Sequence, residues 1–188
     1  LTLNYDTKKF SGYLGKFNPV VGLDYHNFPG MYGYQAIEEY GIKERVGLGG
    51  IIRKNAGSFG THELNITSFA ADTSGLSDSI FFERGHNSKQ DSGVSNTENL
   101  SSYSASLSGS YPFSFKDNSF SKELIYRIGY ADQAAGVSDA TDNTRYSASL
   151  IYKNKISKDL GVDFINTQHL ICDGNNLCSN YSNGDIIS

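Results

Sequence analysis

The chain alternates between apolar and polar positions in several stretches, most clearly in residues 103–111. Tyr103, Ala105, Leu107, Gly109 and Tyr111 fall on one face of that stretch, and serine occupies every position of the other face. A period of two predicts a β-strand whose two faces meet different surroundings. Soluble sandwiches usually turn bulky aliphatic residues inward and charged residues outward. Aromatic residues near both ends of an apolar face, backed by small hydroxyls, are instead typical of a transmembrane β-barrel strand with lipid outside and a wet lumen inside.

The same pattern, with turn residues between its repeats, predicts eight strands in one all-β, antiparallel transmembrane barrel. The predicted strands are Leu1–Tyr5, Phe10–Phe17, Tyr40–Arg53, Thr61–Ala71, Leu100–Phe113, Lys122–Asp132, Thr144–Lys153 and Val162–Leu170. Short turns join them in pairs, and the longer segments Asn18–Glu39, Asp72–Asn99, Gln133–Asn143 and Ile171 onward follow each pair. Short turns at one end and long loops at the other are expected of an outer-membrane barrel. Glu44 falls on the apolar face of its strand, and Phe69 interrupts the alternation of the next one.

Composition and charge narrow the class of protein. The 188 residues carry a net charge of −4 without a basic stripe, so we expect no nucleic-acid partner. No run approaches the ~20 apolar residues of a spanning helix. Lysines gather in the short turns and acidic residues in the long segments, a separation by sign that ordinary loop polarity does not explain. We expect a single domain over residues 1–188 and, because the chain starts at Leu1 and has no terminal aromatic strand, a piece of a larger barrel.

Two cysteines, Cys172 and Cys178, enclose a loop rich in glycine and asparagine. A close pair of this kind favours a disulfide in an oxidising compartment. Half of a zinc site and two free thiols are the alternatives, although no further metal ligands lie nearby in the sequence.

Several short phrases stand out in the sequence: Gly15-Lys-Phe-Asn-Pro19 followed by Gly22, the strand from Tyr40, Phe69-Ala-Ala-Asp-Thr73, Phe82-Glu-Arg-Gly85 and Tyr126-Arg-Ile-Gly-Tyr130. Together they resemble Gram-negative outer-membrane porins, including siderophore-porin-like families. The likeness covers most of Phe10–Leu170. It implies a bacterial outer-membrane location, passive diffusion of small hydrophilic solutes, and contacts with lipid and lipopolysaccharide. It also implies a homo-trimer as a possible assembly, and more strands than are counted here.

The two faces of the predicted strands assign candidate functional residues. If the polar faces line a lumen, its charged wall comprises Lys43, Arg45, Arg53, Glu63, Glu123, Arg127, Arg145 and Lys153. The excess of basic residues favours a weak preference for anions, because charged side chains set the selectivity of narrow pores. The alternative is that these basic residues form ion pairs with the acidic ones and only stabilise the wall. A lipid-facing aromatic girdle comprises Tyr103, Tyr111, Tyr126, Tyr130, Tyr146 and Tyr152. The segments Asn18–Glu39 and Asp72–Asn99 are long enough either to constrict the pore or to pack on the surface.

Other classes of protein remain as alternatives. A surface anchor or receptor would bind a siderophore or another ligand through the long loops. A soluble β-barrel or sandwich would bury Leu107, Ile128 and Leu150 in a protein core. No serine stands in a recognisable nucleophile motif, so we expect no enzymatic activity. We also expect no cofactor and no metal site.

Overall fold

The computed structural model describes residues 2–23, 41–74, 93–97, 99–113, 122–136, 141–155, 161–173 and 178–187. These residues form nine antiparallel strands and one 3-10 turn at Gly57–Phe59. The strands are β1 Thr2–Asp6, β2 Phe10–Phe17, β3 Arg45–Asn55, β4 Thr61–Ala71, β5 Ser102–Phe113, β6 Lys122–Gln133, β7 Asn143–Lys155, β8 Gly161–Asp173 and β9 Cys178–Ile187. Each strand pairs with its neighbour in the sequence, which gives one sheet in the order β1 to β9. The predicted all-β, antiparallel fold is therefore confirmed, with β1 and β9 as open edges.

The third predicted strand begins too early. The structure starts β3 at Arg45, and Glu44 before it has a positive φ of 53°. A left-handed residue cannot continue the extended backbone of a strand, and the Glu44 N–H is instead held by the side chain of Asn18 at 2.8 Å. Glu44 thus lies outside the strand alternation, which explains its position on the wrong face. Tyr40 lies outside the described residues.

Strand β9 lies in the part of the chain from Ile171 onward, where the sequence pattern predicts a long segment rather than a strand. Its residues lack a clear two-residue period, so hydrophobic patterning gives no signal. The strand exists through pairing with β8, from Cys172 opposite Cys178 to Asp163 opposite Ile187. An edge strand of this kind is specified by its partner more than by its own sequence.

The sheet is strongly curved, as shown by where the chain goes after β2. Val21 is four residues beyond the end of β2, a reach of roughly 14 Å, yet its carbonyl accepts a hydrogen bond from Ser147 on β7. Five strand spacings in a flat sheet would separate β2 from β7 by about 24 Å. The sheet therefore bends toward the face that Val21 contacts, which we call the inner face; the opposite side is the outer face.

The described residues form two small clusters of buried apolar side chains on the inner face. One cluster joins Leu23 to Ile151 and Ile165, and the other joins Val21, Ile42, Phe69 and Ala131. Leu23 and Val21 come from the segment 20–23, which leaves β2, and Ile42 comes from the segment 41–42, which returns to β3. We call these two segments the inner strap. The inner strap, rather than a second sheet, covers the apolar part of the inner face.

Candidate functional site: the inner face and its strap

The inner face consists largely of small hydroxyl groups that hydrogen-bond to one another. Ser104 on β5 is 1% exposed and pairs with Thr67 on β4, their oxygens 2.6 Å apart. Ser149 and Thr167 make the same contact between β7 and β8 at 2.7 Å. Neighbouring strands bring these residues opposite each other because their alternation is in register. The result is a wall whose hydroxyls are held in place by their neighbours.

A tyrosine extends this network across β2, β3 and β4. The Tyr13 hydroxyl donates to the Asn65 side chain at 2.8 Å, with its ring lying over Gly49 on the strand between them. A Cβ at Gly49 would come within 2.5 Å of that ring, so the glycine makes room for it. Sequence reasoning did not find this contact, although a glycine inside a strand is a recognised sign of close approach.

The inner strap is held by side chains of β6 and β7 that donate to its backbone carbonyls. Arg127 Nη1 lies 3.1 Å from the carbonyl of Gly22, and Arg145 Nη1 lies 3.2 Å from that of Gly41. Gly129 allows the approach, since a Cβ there would overlap the carbonyl of Val21. The described part of the segment Asn18–Glu39 lies against the inner face, and whether the segment constricts a pore stays a prediction. Residues 24–40 lie outside the described structure.

Positive charge gathers where the strap meets the sheet. Arg45 projects from β3 and Arg145 from β7, and the two guanidinium groups are near enough to repel each other. The Nε of Arg45 is buried without a hydrogen-bond partner among the described residues. Arg53, further along β3, is neutralised by Glu63 at 2.9 Å and also contacts the Ser11 hydroxyl at 2.5 Å. The charged wall is thus braced by an ion pair near one end and carries Arg45 and Arg145 near the strap.

An ion-pair cluster lies beside the strap, near the end of β2 and the start of β3. Lys16 Nζ lies 3.2 Å from Asp72 and 3.4 Å from Glu44. Burial alone would raise the pKa of Asp72, but hydrogen bonds from the Ser74 hydroxyl and N–H, together with Lys16, outweigh it and leave that pKa below its ordinary value. This cluster ties the residues flanking β2, β3 and β4 together.

A cavity of about 980 Å³ opens at the other end of the sheet, where the short turns lie. Its lining includes the basic residues Lys8, Lys9, Arg53, Lys54 and Arg127, together with Glu63, Ser108 and Ser110. The surroundings of this cavity are therefore positively charged, in line with the basic short turns seen in the sequence.

Strand alternation places seven of the eight predicted lumen residues on the inner face: Arg45, Arg53, Glu63, Glu123, Arg127, Arg145 and Lys153. Lys43 differs, because it precedes β3 and is exposed, outside the alternation that assigned it to the wall. Strand alternation therefore does not assign Lys43 to a face, and its place in a lumen wall stays a prediction.

The six predicted girdle tyrosines all lie on the outer face, in two tiers. Tyr103, Tyr130 and Tyr146 form the tier nearer the long segments, with ring centroids 5.9 Å apart for Tyr103 and Tyr130 and 5.1 Å apart for Tyr130 and Tyr146. Tyr111, Tyr126 and Tyr152 form the other tier on the same three strands. Leu107, Ile128 and Leu150 lie between the tiers and are exposed. The outer face is thus an apolar band with aromatic borders.

Cys172 and Cys178 are joined by a disulfide between directly opposite positions of β8 and β9. Among the described residues, no group of three His, Cys, Asp or Glu side chains could hold a metal ion. None of the described helical segments has the length and hydrophobicity needed to span a membrane. Comparisons with family models, curated proteins and solved structures gave no match to this chain.

Proposed function

We propose that this chain forms the wall of an outer-membrane channel for passive diffusion of small hydrophilic solutes. The observation that carries the proposal is that the polarity of the two faces is opposite to that of a soluble protein. Buried residues of the inner face are mostly serine and threonine, and large apolar residues point outward. Leu107, Leu150 and Ile128 are 40%, 49% and 57% exposed. A soluble sandwich would bury these three residues, whereas lipid accommodates them at no cost.

The extent of the outer face supports a lipid surrounding. Exposed apolar side chains continue across the sheet from Leu3 on β1 to Phe164 on β8. Soluble monomers rarely expose contiguous apolar patches larger than a few hundred Å², and aromatic tiers bordering an apolar band are the pattern of membrane strands. In this proposal the lipid and lipopolysaccharide of a Gram-negative outer membrane surround the band.

The open edges fit the same proposal when the nine strands are an arc of a closed barrel. Unpaired backbone groups are not tolerated against hydrocarbon, so β1 and β9 would pair with further strands when the barrel closes. The inner face would then line the lumen, and the inner strap would narrow it beside Arg45 and Arg145.

The basic wall gives the proposed channel a weak preference for anions. Arg127 and Arg145 lie on the inner face beside strap carbonyls, and Arg45 lies on the same face near Arg145. A unit charge at 4 Å changes the energy of an ion by about 1 kcal/mol in water, or about fivefold in local concentration. Small hydrophilic anions would therefore be enriched at the strap relative to cations.

The experiment is single-channel conductance of the full-length protein in a planar bilayer under a salt gradient. We expect stable conductance steps with a reversal potential on the anion side. The variants Arg45→Gln and Arg127→Gln should move that potential toward cations, whereas Lys43→Gln, which removes an exposed charge before β3, is the matched control. An unchanged potential in both arginine variants would contradict the selectivity.

A surface anchor or receptor is the second candidate, favoured by the strap lying across the inner face. Demonstrated insertion of the protein into a bilayer that stays sealed would contradict the channel and favour this candidate. The siderophore or other ligand of such a receptor would then be sought at the long segments.

A further inference from the structure

The apolar band of the outer face is interrupted by polar side chains at the centre of β8. Asn166 and Gln168 are both exposed there, opposite Leu150 and Ala148 of β7. Phe164 and Leu170 flank them on the same strand, paired with Tyr152 and Tyr146 of the two aromatic tiers. The two amides therefore lie between the tiers, at mid-height of the apolar band. We call Asn166 and Gln168 the amide strip.

The amide strip is out of place on a face that meets lipid. A side-chain amide carries two N–H donors and a carbonyl acceptor, and hydrocarbon can satisfy none of them. The register row that runs from Gln168 across the six strands from β7 to β2 is apolar throughout, and consists of Ala148, Ile128, Leu107, Leu64, Ile52 and Phe10. The β9 residues paired with the strip, Ser182 and Gly184, are small. The polar interruption is thus local to the β8–β9 side of the sheet.

We propose that the amide strip is the contact surface for a second copy of this chain, with the two strips hydrogen-bonded across the interface. This inference rests on the proposed membrane location of the outer face. Copies inserted in one orientation are related by an axis along the membrane normal, which keeps every residue at its own height. A two-fold axis of that kind brings the strip of one copy to the strip of the other.

The chemistry of the strip selects a second copy over an unrelated partner. Amides are both donors and acceptors, so two identical strips complement each other without any change of sequence. The strip carries no charge that would repel its own copy. Asparagine and glutamine side chains that meet inside membranes stabilise helix association in the same way.

The test uses the full chain in lipid, with the photoreactive residue p-benzoylphenylalanine placed at Gln168 and, as the matched control, at Leu107 in the apolar band. We expect a cross-linked dimer of this chain from position 168 and none from position 107. Cross-linking from position 107 alone, or from position 168 only to a different protein, would overturn the proposal.

A double variant, Asn166→Leu with Gln168→Leu, supplies a second measurement. We expect about tenfold weaker self-association by sedimentation in detergent, and unchanged single-channel conductance. Equal self-association in the folded double variant would overturn the inference, and if that variant does not fold, the cross-linking decides alone.

Failure of this inference is distinguishable from failure of the membrane proposal. A nitroxide at Leu107 reports whether the apolar band meets lipid. If that label lies in lipid while position 168 gives no dimer, only the amide-strip contact is wrong. If the label at Leu107 meets water, both proposals are wrong.

Discussion

The side chain of Lys16 connects three parts of the chain beside the strap. Its ammonium group lies between the exposed Glu44 and the buried Asp72, and so joins the end of β2 to the residues before β3 and after β4. The Asp72 carboxylate also receives the Ser74 hydroxyl at 2.6 Å and the Ser74 N–H at 3.1 Å. A carboxylate with three such partners stabilises the folded state only while it is ionised.

The first prediction is that folded stability falls in acid through Asp72. Its pKa is lowered from 3.8, so the stabilisation is complete above that value and is lost as the pH falls through the folded pKa. Asp72→Asn should lose about 2 kcal/mol at neutral pH and flatten the acid part of the profile. Urea unfolding between neutral and acid pH measures both effects.

Glu44→Gln is the control, because Glu44 contacts the same lysine but is half exposed. Its expected effect is under about 1 kcal/mol, as for other exposed ion pairs. A profile of Asp72→Asn that falls in acid as steeply as that of the unmodified chain would contradict the assignment to Asp72.

At the scale of the element, the two faces of a strand decide what it contacts. On β5 Ser102, Ser104 and Ser106 are buried, while Tyr103 and Leu107 are exposed. The second prediction concerns nitroxide labels at Leu107, Ile128 and Leu150 in lipid vesicles: oxygen should relax them more than a polar nickel chelate does. A label at Ser108 on the inner face should show the reverse order. Higher nickel accessibility at all three apolar positions would contradict the membrane assignment.

The strands that are best predicted from the sequence are those in which one face is apolar and the other is polar along most of their length. β5, β6 and β7 alternate cleanly, so their register and faces follow from the period of two. The position of β3 was predicted less well, because the positive φ of Glu44 depends on a hydrogen bond from a residue 26 positions away. Local pattern carries no information about such a contact.

The apolar exceptions on the polar face mark the strap. Phe69 interrupts the alternation of β4, and Ile125 and Ile151 stand among charged and hydroxyl residues on β6 and β7. In the structure Phe69 packs with Val21, and both isoleucines belong to the cluster around Leu23. The pattern shows that these positions meet an apolar neighbour, but only the folded chain identifies that neighbour as the strap.

At the scale of the whole molecule, the strap links strands that are far apart in the sheet. The third prediction is that Gly129→Ala displaces it, because the added methyl group would overlap the carbonyl of Val21. We expect a loss of about 2 kcal/mol in urea unfolding and, in the proposed channel, a larger conductance. The control is Gly12→Ala on β2, where a Cβ would approach only the Phe10 ring, at 3.6 Å. Equal stability of the two variants would contradict the close packing of the strap.

The strap also sets the order in which the molecule can fold. Every strand pairs with its neighbour in sequence, so the sheet can grow by successive hairpins whose connections span far fewer residues than the strap contacts do. The strap contacts instead join residues 104 to 126 positions apart. Closing so long a loop has an entropic cost that is recovered only after β6 and β7 are in place. Hairpin growth therefore comes first, and the strap docks last onto a finished wall.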